Sequence, residues 1–344
     1  MPNAVLTAAV DRLASGADLS ADEAAGVLRE VMEGRASDVQ TAGFLIALRT
    51  KGETVDELTG FARTMRELSR RVVVEHDDLL DTAGTGGGPP TFNVSTTAAL
   101  VAAGAGCRVA KHGGRSNTGQ SGSADLLEAL GAQLELEPAA IADCIEEIGF
   151  GFMFAPLHHG AMRHVVPVRK ELGVRTLFNF LGPLTNPAGA TRQVIGISDP
   201  TKLEPVARAL SALGCRSGLV VSSADGLDEI SVSAETRVME VGEDGIEGFT
   251  VSPEELGVEP VPFESLRAGA PAQSAEIARA VLSGEKGPER SLTLLNAGAA
   301  VYVGGRAGSI RDGVLRAAQA IDSGAALDVL ERYVKRTREL ARAG

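Results

Sequence analysis

The chain contains 344 residues, 44% of them hydrophobic, and carries a formal net charge of −12. This length and apolar content predict one large or two smaller folded domains and exclude an intrinsically disordered protein. The acidic balance argues against nucleic acid as the main partner, because binding to a phosphate backbone needs a basic surface.

The first seventy residues carry the start signals of successive helices. A hydroxyl residue stands three positions before an acid or an amide at Ser20–Glu23, Ser37–Gln40 and Thr54–Glu57, which is the spacing of the capping box. Apolar residues recur at helical intervals after Thr54. We therefore expect a helical amino-terminal domain over residues 1–74, and the early acid excludes a signal peptide.

The rest of the chain alternates short apolar segments with amphipathic ones. Val72–Val74 is typical of a first buried strand, and "FGFMFA", "QVIGIS" and "SGLVVSS" predict later strands separated by helices. This alternation predicts a parallel central sheet flanked by helices. "HGAMRHVVPVRKELG" predicts one helix, and "TRVMEVGEDGIEGFTV" an antiparallel hairpin that turns at Asp244–Gly245.

The segment "GTGGGPPTFNVST" predicts a loop that binds an anion. Its glycines, within Gly84–Gly88, allow unusual backbone angles and close approach of the backbone to a ligand, and successive amides before a helix attract anions. Asn93, Ser95 and Thr96 add donors there, although capping of the helix would also explain them. The loop has no Walker lysine, and Pro89 stands where a dinucleotide fingerprint needs its third glycine.

Two further polar segments follow predicted strands. Lys111 and His112 precede a second loop rich in glycine and hydroxyl groups, at the sheet edge where open α/β folds bind ligands. Asp225, Asp228 and Glu229 follow "SGLVVSS", and neighbouring carboxylates are costly unless a cation lies between them. An acidic surface turn and a Mg²⁺ site are equal alternatives for this segment alone, and the two phosphate-type loops favour Mg²⁺.

Positive charge is concentrated in one segment of this acidic chain. The basic residues there are His158, His159, Arg163, His164, Arg169, Lys170 and Arg175. The segment lacks the HExxH pattern, and no carboxylate stands next to its histidines, which argues against a metal site. It favours a pocket for an anionic organic substrate, because arginine binds a carboxylate through two parallel hydrogen bonds.

Cysteine content and hydropathy indicate the compartment. The three cysteines form no CxxC pair, which favours a reduced, cytoplasmic protein. The uncharged stretch after Asp81 has too few consecutive apolar residues to span a bilayer, so we expect no membrane insertion.

The order and spacing of four segments resemble those of the anthranilate phosphoribosyltransferases. The segments are "GTGG…NVST", "KHGGRS…SGSADLLEALG", "GFMFAPLHHGAMRHVVPVRKELGVRTLFNFLGPLTNPAG" and "DGLDEI", and the resemblance covers essentially the whole chain. It implies transfer of the phosphoribosyl group of 5-phospho-α-D-ribose 1-diphosphate (PRPP) to the amine of anthranilate, in tryptophan biosynthesis. It also implies two Mg²⁺ per monomer and a homodimer formed through the helical domain, with no nucleic-acid or membrane partner.

The resemblance further implies how the chain is divided. A small all-helical domain would comprise residues 1–74, with a segment of about 166–190 packing on it. A larger α/β domain would comprise residues 75–165 and 191–344, and the active site would lie between the two.

Carried over position by position, the resemblance assigns three groups of site residues. Those expected to bind PRPP are Gly84, Gly87, Gly88, Thr91, Asn93, Ser95, Thr96, Lys111, Gly113 and Ser123. Those expected at the anthranilate site are Gly84, His112, Gly114 and Arg169, with Arg169 near the carboxylate and His112 beside the amine. Asp228 and Glu229 are expected to hold one Mg²⁺ and Ser95 to touch another. No residue is assigned as a general base.

Three positions depart from the family pattern. Gly88 stands where the family usually has aspartate, Gly114 where it has an asparagine facing anthranilate, and Gly119 where it has a serine near the phosphates. Gly114 leaves open a second acceptor, a substituted or different aromatic amine. A non-catalytic binding protein of the same fold is a further alternative, which the net charge and the intact "DGLDEI" both oppose.

Overall fold

The computed structural model of the chain describes residues 2–116 and 121–343. It begins with the helices α1 (Ala4–Ala14), α2 (Ala21–Met32), α3 (Asp38–Lys51) and α4 (Val55–Glu67). Ser20 and Thr54 start α2 and α4 with reciprocal capping boxes, as predicted. Ser37 also caps α3, but the Gln40 side chain bonds to the backbone of Asn3 and does not complete the box.

Seven strands form one sheet in the order β3-β2-β1-β4-β5-β6-β7. They are β1 (Leu80–Gly84), β2 (Val109–Gly113), β3 (Phe150–Phe154), β4 (Arg192–Gly196), β5 (Ser217–Ser223), β6 (Thr236–Gly242) and β7 (Gly245–Val251). The first five strands run parallel and the last two antiparallel, which confirms the predicted mainly parallel sheet. The β6–β7 hairpin turns at Glu243–Asp244, one residue earlier than predicted, because Gly242 pairs with Gly245.

The predicted strand at Val72–Val74 is wrong. Val72 is buried and its amide donates to the Pro187 carbonyl, but Val73 is 80% exposed and the segment joins no strand. The first strand starts at Leu80, which pairs with β2 on one side and β4 on the other. Three consecutive valines thus mark the connection to the sheet and not its first strand.

The predicted single helix over residues 159–173 is also wrong. The chain forms α8 (Ala155–His158), a 3₁₀ turn (Gly160–His164) and α9 (Val166–Leu172). Pro167 lies in the first turn of α9, where its missing amide is tolerated but a continuing helix is not. After α10 (Phe178–Leu181), another 3₁₀ turn leads towards β4. Val165, Val168 and Phe178 share one apolar cluster with α1–α4.

Helices cover both faces of the sheet. They are α5 (Val94–Gly104), α6 (Ser123–Ala129), α7 (Pro138–Ile148), α11 (Leu203–Ala212), α12 (Pro271–Leu282), α13 (Pro288–Val303), α14 (Ile310–Asp322) and α15 (Ala325–Ala343). Successive strand residues point to opposite faces. Val194 therefore packs in the cluster with α5 and α12–α15, whereas Ile195 packs in the cluster with α11 and the first four helices. Among the described residues, no helix is both long and apolar enough to cross a membrane.

Candidate active site

The glycine loop, residues 85–92, begins at the carboxyl end of β1 in the middle of the parallel strands. Because β2 lies on one side of β1 and β4 on the other, the order of the strands reverses here. Open α/β sheets bind ligands in the crevice that such a reversal leaves at the carboxyl ends of the strands. The ends of β2 and β5 bring Lys111–Gly113 and the carboxylate loop, residues 224–229, to this edge.

Asp228 packs directly against bare backbone from two strand ends. A Cβ atom on Gly84, which ends β1, would overlap the Asp228 carboxylate, and one on Gly196, which ends β4, would overlap the Asp228 carbonyl oxygen. The Gly86 amide donates to Asp228 Oδ2 at 2.7 Å. Glycine at positions 84 and 196 therefore allows the carboxylate loop to lie on the glycine loop.

The backbone of the glycine loop needs three of its glycines for two different reasons. Gly86 and Gly87 have φ angles of 65° and 85°, which favour glycine. A Cβ atom on Gly88 would instead lie only 2.6 Å from the Gly226 carbonyl oxygen. The departure at position 88 therefore follows from the close contact with the carboxylate loop. Within residues 2–116 and 121–343, the amides of Gly87 and Gly88 meet no acceptor.

The amino terminus of α5 follows Thr91 and carries polar groups that do not cap the helix. The Asn93 side chain forms no capping bond; it donates to the Ser121 carbonyl and accepts from the Ser121 hydroxyl. The capping explanation of Asn93 is therefore wrong. The Thr96 hydroxyl is buried without a partner among the described residues. The Val94 amide donates to the Phe92 carbonyl and the Ser95 backbone bonds to Glu229, which leaves the Thr96 hydroxyl, near the positive end of the helix dipole, as a donor for an anion.

Lys111 is buried inside this edge and holds neighbouring elements together. Its ammonium donates to the Thr82 carbonyl of β1 and lies 3.4 Å from the Ser95 hydroxyl at the start of α5. Burial lowers the pKa of Lys111, and the nearby Asp81 and Glu229 charges act against that shift. Lys111 therefore lies where the glycine loop, α5 and the carboxylate loop meet.

Asp81 orients the end of β2 from within the sheet. It is fully buried, and its carboxylate accepts from the His112 amide at 3.0 Å and from the Asn186 side chain at 2.7 Å. Burial raises the pKa of Asp81, while the Lys111 charge acts in the opposite direction. No role was predicted for Asp81 from the sequence, because a lone acid at the start of the glycine motif was its only signal.

Asp228 and Glu229 form a pair of carboxylates suited to a hard cation. Burial raises the pKa of Asp228, and burial followed by the neighbouring Asp228 charge raises the pKa of Glu229 well above its usual range. The Ser95 backbone bonds to Glu229, so the pair meets α5 at its first turn. Two carboxylates and a serine hydroxyl are oxygen donors of the kind Mg²⁺ uses, with phosphates and water completing the shell.

Asp225 is separate from this pair. It accepts hydrogen bonds from the hydroxyl groups of Ser223, Ser231 and Ser233. Burial by itself raises the pKa of Asp225, but these hydrogen bonds lower it more, so the pKa lies below its usual value. Asp225 therefore fixes the turn that presents Asp228 and Glu229. The described part of the chain contains no cluster of three or more acidic, histidine or cysteine side chains able to hold a metal.

Three histidines are buried beside the end of β2. The rings of His112 and His159 meet edge to face with centroids 5.1 Å apart, and His158 Nδ1 lies 2.7 Å from the Arg70 carbonyl oxygen. Burial lowers the pKa of all three, well below the usual value for His112 and to about 4 for His159. They are therefore neutral at pH 7, and His112 Nε2 has no partner among the described residues.

The second loop leaves little room for a side chain at Gly113 but ample room at Gly114. A Cβ atom on Gly113 would lie 3.1 Å from Ser123 Cβ, at the start of α6. A Cβ atom on Gly114 would meet only Ala155, at 3.9 Å. The loss of a side chain at Gly114 therefore opens space. Gly119 lies outside the described residues.

Two half-buried arginines, Arg169 on α9 and Arg175 just after it, lie on the segment that leads towards β4. Arg169 lies over the Phe178 ring and 3.5 Å from Asn179 Oδ1, and burial lowers its pKa. Arg175 donates to the Gly86 carbonyl oxygen at 2.7 Å. Neither forms an ion pair with a described residue. Sequence reasoning noted the positive charge of Arg175 but assigned it no role.

The structure brings most of the predicted residues together. Direct contacts join the glycine loop, the start of α5, Lys111 and the Asp228–Glu229 pair, and Gly113 contacts Ser123. Arg169 touches none of them within the described residues. Its segment reaches the glycine loop through Arg175.

Comparison with known families gives two matches. Residues 7–69 match the family described as "Glycosyl transferase family, helical bundle domain". Residues 76–327 match the family described as "Glycosyl transferase family, a/b domain". The first matched range runs from within α1 to just past the end of α4, and the second contains the whole sheet.

Relatives of known sequence and structure agree with these matches. An anthranilate phosphoribosyltransferase from Halorhodospira halophila is 52% identical over 339 residues, which cover 98% of this chain and 99% of the relative. The crystal structure of an anthranilate phosphoribosyltransferase from Thermus thermophilus has a TM-score of 0.91 at 48% identity, covering 96% of this chain and 99% of that one. The anthranilate phosphoribosyltransferase from Saccharomyces cerevisiae in complex with PRPP and Mg has a TM-score of 0.90 at 28% identity. The match covers 98% of this chain and 99% of the yeast chain.

Proposed function

The chain belongs to the anthranilate phosphoribosyltransferase family of glycosyl transferases, and on this premise we propose how its residues carry out the reaction. The enzyme transfers the 5-phosphoribosyl group of PRPP to the amine of anthranilate in tryptophan biosynthesis. The products are N-(5-phosphoribosyl)anthranilate and diphosphate. The observation that carries this conclusion is the packing of the Asp228 carboxylate on the glycine loop, because it joins oxygen ligands for a metal to unpaired amides for phosphate.

The glycine loop and its neighbours bind PRPP. The unpaired amides of Gly87 and Gly88 offer donors to the diphosphate, and the Thr96 hydroxyl at the start of α5 offers another. Lys111 adds a buried positive charge. These donors are fixed before substrate arrives, so they stabilise charge on the leaving diphosphate without reorganisation.

Mg²⁺ is the metal that these residues fit. Asp228 and Glu229 would hold one ion and the Ser95 hydroxyl would contact a second, giving two per monomer. Burial raises the pKa of both carboxyl groups, and the Asp228 charge raises that of Glu229 further; a divalent cation would offset both effects. When bound, Mg²⁺ supplies positive charge that offsets the charge developing on the diphosphate.

The reaction exchanges one bond at C1 of the ribose for another. The C1–O bond to diphosphate breaks and its electron pair leaves with the diphosphate, while the amine forms the C1–N bond and loses a proton. The amine of anthranilate is neutral at pH 7, so it can attack without prior deprotonation. Catalysis therefore comes mainly from positioning and from stabilisation of the leaving group.

Arg169 and His112 hold the acceptor. Arg169 is half-buried, lacks an ionic partner among the described residues and can bind the carboxylate of anthranilate through two hydrogen bonds. His112 is neutral and has an unpartnered Nε2, which suits a place beside the amine. The two residues would thus contact the neighbouring carboxylate and amine groups of anthranilate.

The open space at Gly114 favours a second candidate, transfer to a substituted aromatic amine. A side chain there would meet only Ala155, so its absence enlarges the region beside His112. Comparing turnover of anthranilate with that of ring-substituted analogues separates the two candidates. The anthranilate assignment requires anthranilate to have the higher kcat/KM.

The helical part supports a dimer and a separate domain. Val5 on α1 and Val39 and Ile46 on α3 are exposed apolar residues on neighbouring helices, which suits a homodimer interface. We propose residues 1–74 with about 166–190 as the helical domain and the remainder as the α/β domain; Val168 and Phe178 pack in the apolar cluster of α1–α4, which also contains α11 and Ile195. The free cysteines fit a cytoplasmic protein, and the net charge of −12 argues against a nucleic-acid partner.

One assay tests the function directly. The purified protein is mixed with anthranilate, PRPP and Mg²⁺, and the fluorescence of anthranilate is followed over time, with the products identified by mass. The expected result is a loss of fluorescence that requires all three additions and yields N-(5-phosphoribosyl)anthranilate. Steady fluorescence of anthranilate with an intact, folded protein would refute the assignment.

A further inference from the structure

The carbonyl group of Gly86 is held by two side chains from outside the glycine loop. Arg175 Nη2 donates to it at 2.7 Å and the Ser198 hydroxyl donates to it at 2.7 Å. The amide of the same residue donates to Asp228. Both polar groups of Gly86 are therefore fixed by residues far away in the sequence.

Holding this carbonyl also sets the direction of the next amide. The peptide group between Gly86 and Gly87 is planar, and no cis peptide occurs among the described residues. In a trans peptide the carbonyl oxygen and the following N–H point to opposite sides. Arg175 and Ser198 thus turn the Gly87 amide away from themselves, and this amide meets no acceptor among the described residues.

Arg175 is itself held in place by the helical part of the molecule. Arg49 Nη1 on α3 donates to the Arg175 carbonyl oxygen at 3.0 Å. The Thr176 amide donates to Asn179 Oδ1 at 2.9 Å, and the same oxygen contacts Arg169. The guanidinium of Arg175 forms no ion pair within the described residues. In a chain with more acids than bases, it is used to bind a backbone carbonyl.

We propose that Arg175 is a positioning residue for PRPP, which orients the Gly87 amide towards the diphosphate by holding the Gly86 carbonyl. This inference rests on the proposed function and assigns to Arg175 a role in that site. Arg175 acts through the backbone, so its loss weakens PRPP binding more than acceptor binding. Ser198 shares the role and contributes less, because a neutral hydrogen bond is weaker than a charged one.

The test measures PRPP binding in the presence of Mg²⁺ by isothermal titration calorimetry, together with KM for both substrates. Arg175→Met is expected to weaken PRPP binding about 10-fold or more, as loss of a charged hydrogen bond implies. Arg175→Lys keeps one donor and should bind within about threefold of the wild type. Anthranilate KM should change by less than about twofold. Arg163→Ala, an exposed arginine of the same segment, is the matched control and should change neither.

The outcomes separate this inference from the function it rests on. Wild-type protein that binds no PRPP with Mg²⁺ overturns both. If the wild type binds PRPP and Arg175→Met binds it equally well, only the role of Arg175 is overturned. An equal rise in KM for both substrates overturns that role as well. If Arg175→Met does not fold, Ser198→Ala decides, since it removes the other bond to the same carbonyl. A loss of about threefold in PRPP affinity supports the proposal, and unchanged affinity overturns it.

Discussion

At the scale of single residues, glycine is needed here for two reasons. Some positions have positive φ angles, and others lie too close to a neighbouring loop to carry a side chain. Gly86 and Gly87 need their positive φ angles, whereas Gly84, Gly88 and Gly196 face atoms of the carboxylate loop that leave no room for a side chain. Gly88 faces the Gly226 carbonyl oxygen, so the acid usual in the family would collide with that loop. The space available at each position decides what a substitution does.

Gly88→Asp, which introduces the residue usual in the family, should impair this enzyme. Its Cβ would lie 2.6 Å from the Gly226 oxygen and displace the loop that carries Asp228 and Glu229. Such crowding costs about 1–3 kcal/mol, so kcat/KM should fall about 10-fold or more. Gly242→Asp is the control, because a Cβ atom there meets open space. A Gly88→Asp enzyme as active as the wild type would refute the crowding argument.

Arg169→Ala should raise KM for anthranilate. Removing a bidentate contact to a carboxylate costs about 1.5–3 kcal/mol, which predicts a rise of about 10-fold or more, with PRPP affinity little changed. Initial rates at varied anthranilate concentration measure this, with Arg163→Ala as the control. An unchanged anthranilate KM means that Arg169 does not bind the acceptor.

At the scale of elements, the sequence predicted what depends on local pattern. Capping boxes, the strand–helix alternation and the carboxyl ends of strands identified the helices, the sheet and the edge that carries the site. It did not predict the broken helix around Pro167, because the periodicity of the flanking apolar residues continues through the break. It also missed the role of Arg175, since a contact with Gly86 across 89 positions leaves no local signal.

The turn between α8 and the 3₁₀ segment should make stability depend on pH. His159 has a folded pKa of about 4 and an unfolded value of about 6.5, so the unfolded chain binds more protons between these values. Stability is then complete above pH 6.5 and is lost as the pH falls towards 4. This histidine alone should cost about 2 kcal/mol between pH 7 and pH 5.

His159→Gln removes the titrating group and should flatten that dependence. Urea unfolding at pH 7 and pH 5 gives the two free energies of unfolding. Their difference should be about 2 kcal/mol smaller in the variant than in the wild type. His164→Gln, at a half-buried histidine bonded to Arg163, is the control. Equal differences in the wild type and His159→Gln would contradict the burial argument.

At the scale of the whole molecule, the two faces of the sheet have different tasks. One face packs on α5 and α12–α15 and stabilises the strands that carry the site. The other face packs on α11, in the same apolar cluster as α1–α4 and the segment after α8. Arg169, which we propose binds the acceptor, and the glycine loop thus belong to different layers, which Arg175 connects.

Val39→Asp should dissociate the proposed homodimer. Val39 is 81% exposed on α3, and a charge there would be buried without a partner if this face pairs with a second copy. Sedimentation equilibrium should give a dimer for the wild type and a monomer for the variant. Val73→Asp, at an equally exposed valine between α4 and β1, is the control and should remain dimeric. A dimeric Val39→Asp protein would place the interface elsewhere.

We propose that a metal held by Asp228 and Glu229 enables diphosphate to leave from the glycine loop. The most direct measurement follows anthranilate fluorescence with PRPP and Mg²⁺ for the wild type, the Asp228→Ala/Glu229→Ala double variant, and Glu235→Gln, an exposed acid nearby. We predict that the double variant folds but loses at least about 100-fold in kcat, because metal stabilisation of the leaving group contributes several kcal/mol. EDTA should abolish the wild-type rate, and Glu235→Gln should match the wild type. Near-normal turnover by the double variant in EDTA would contradict the account.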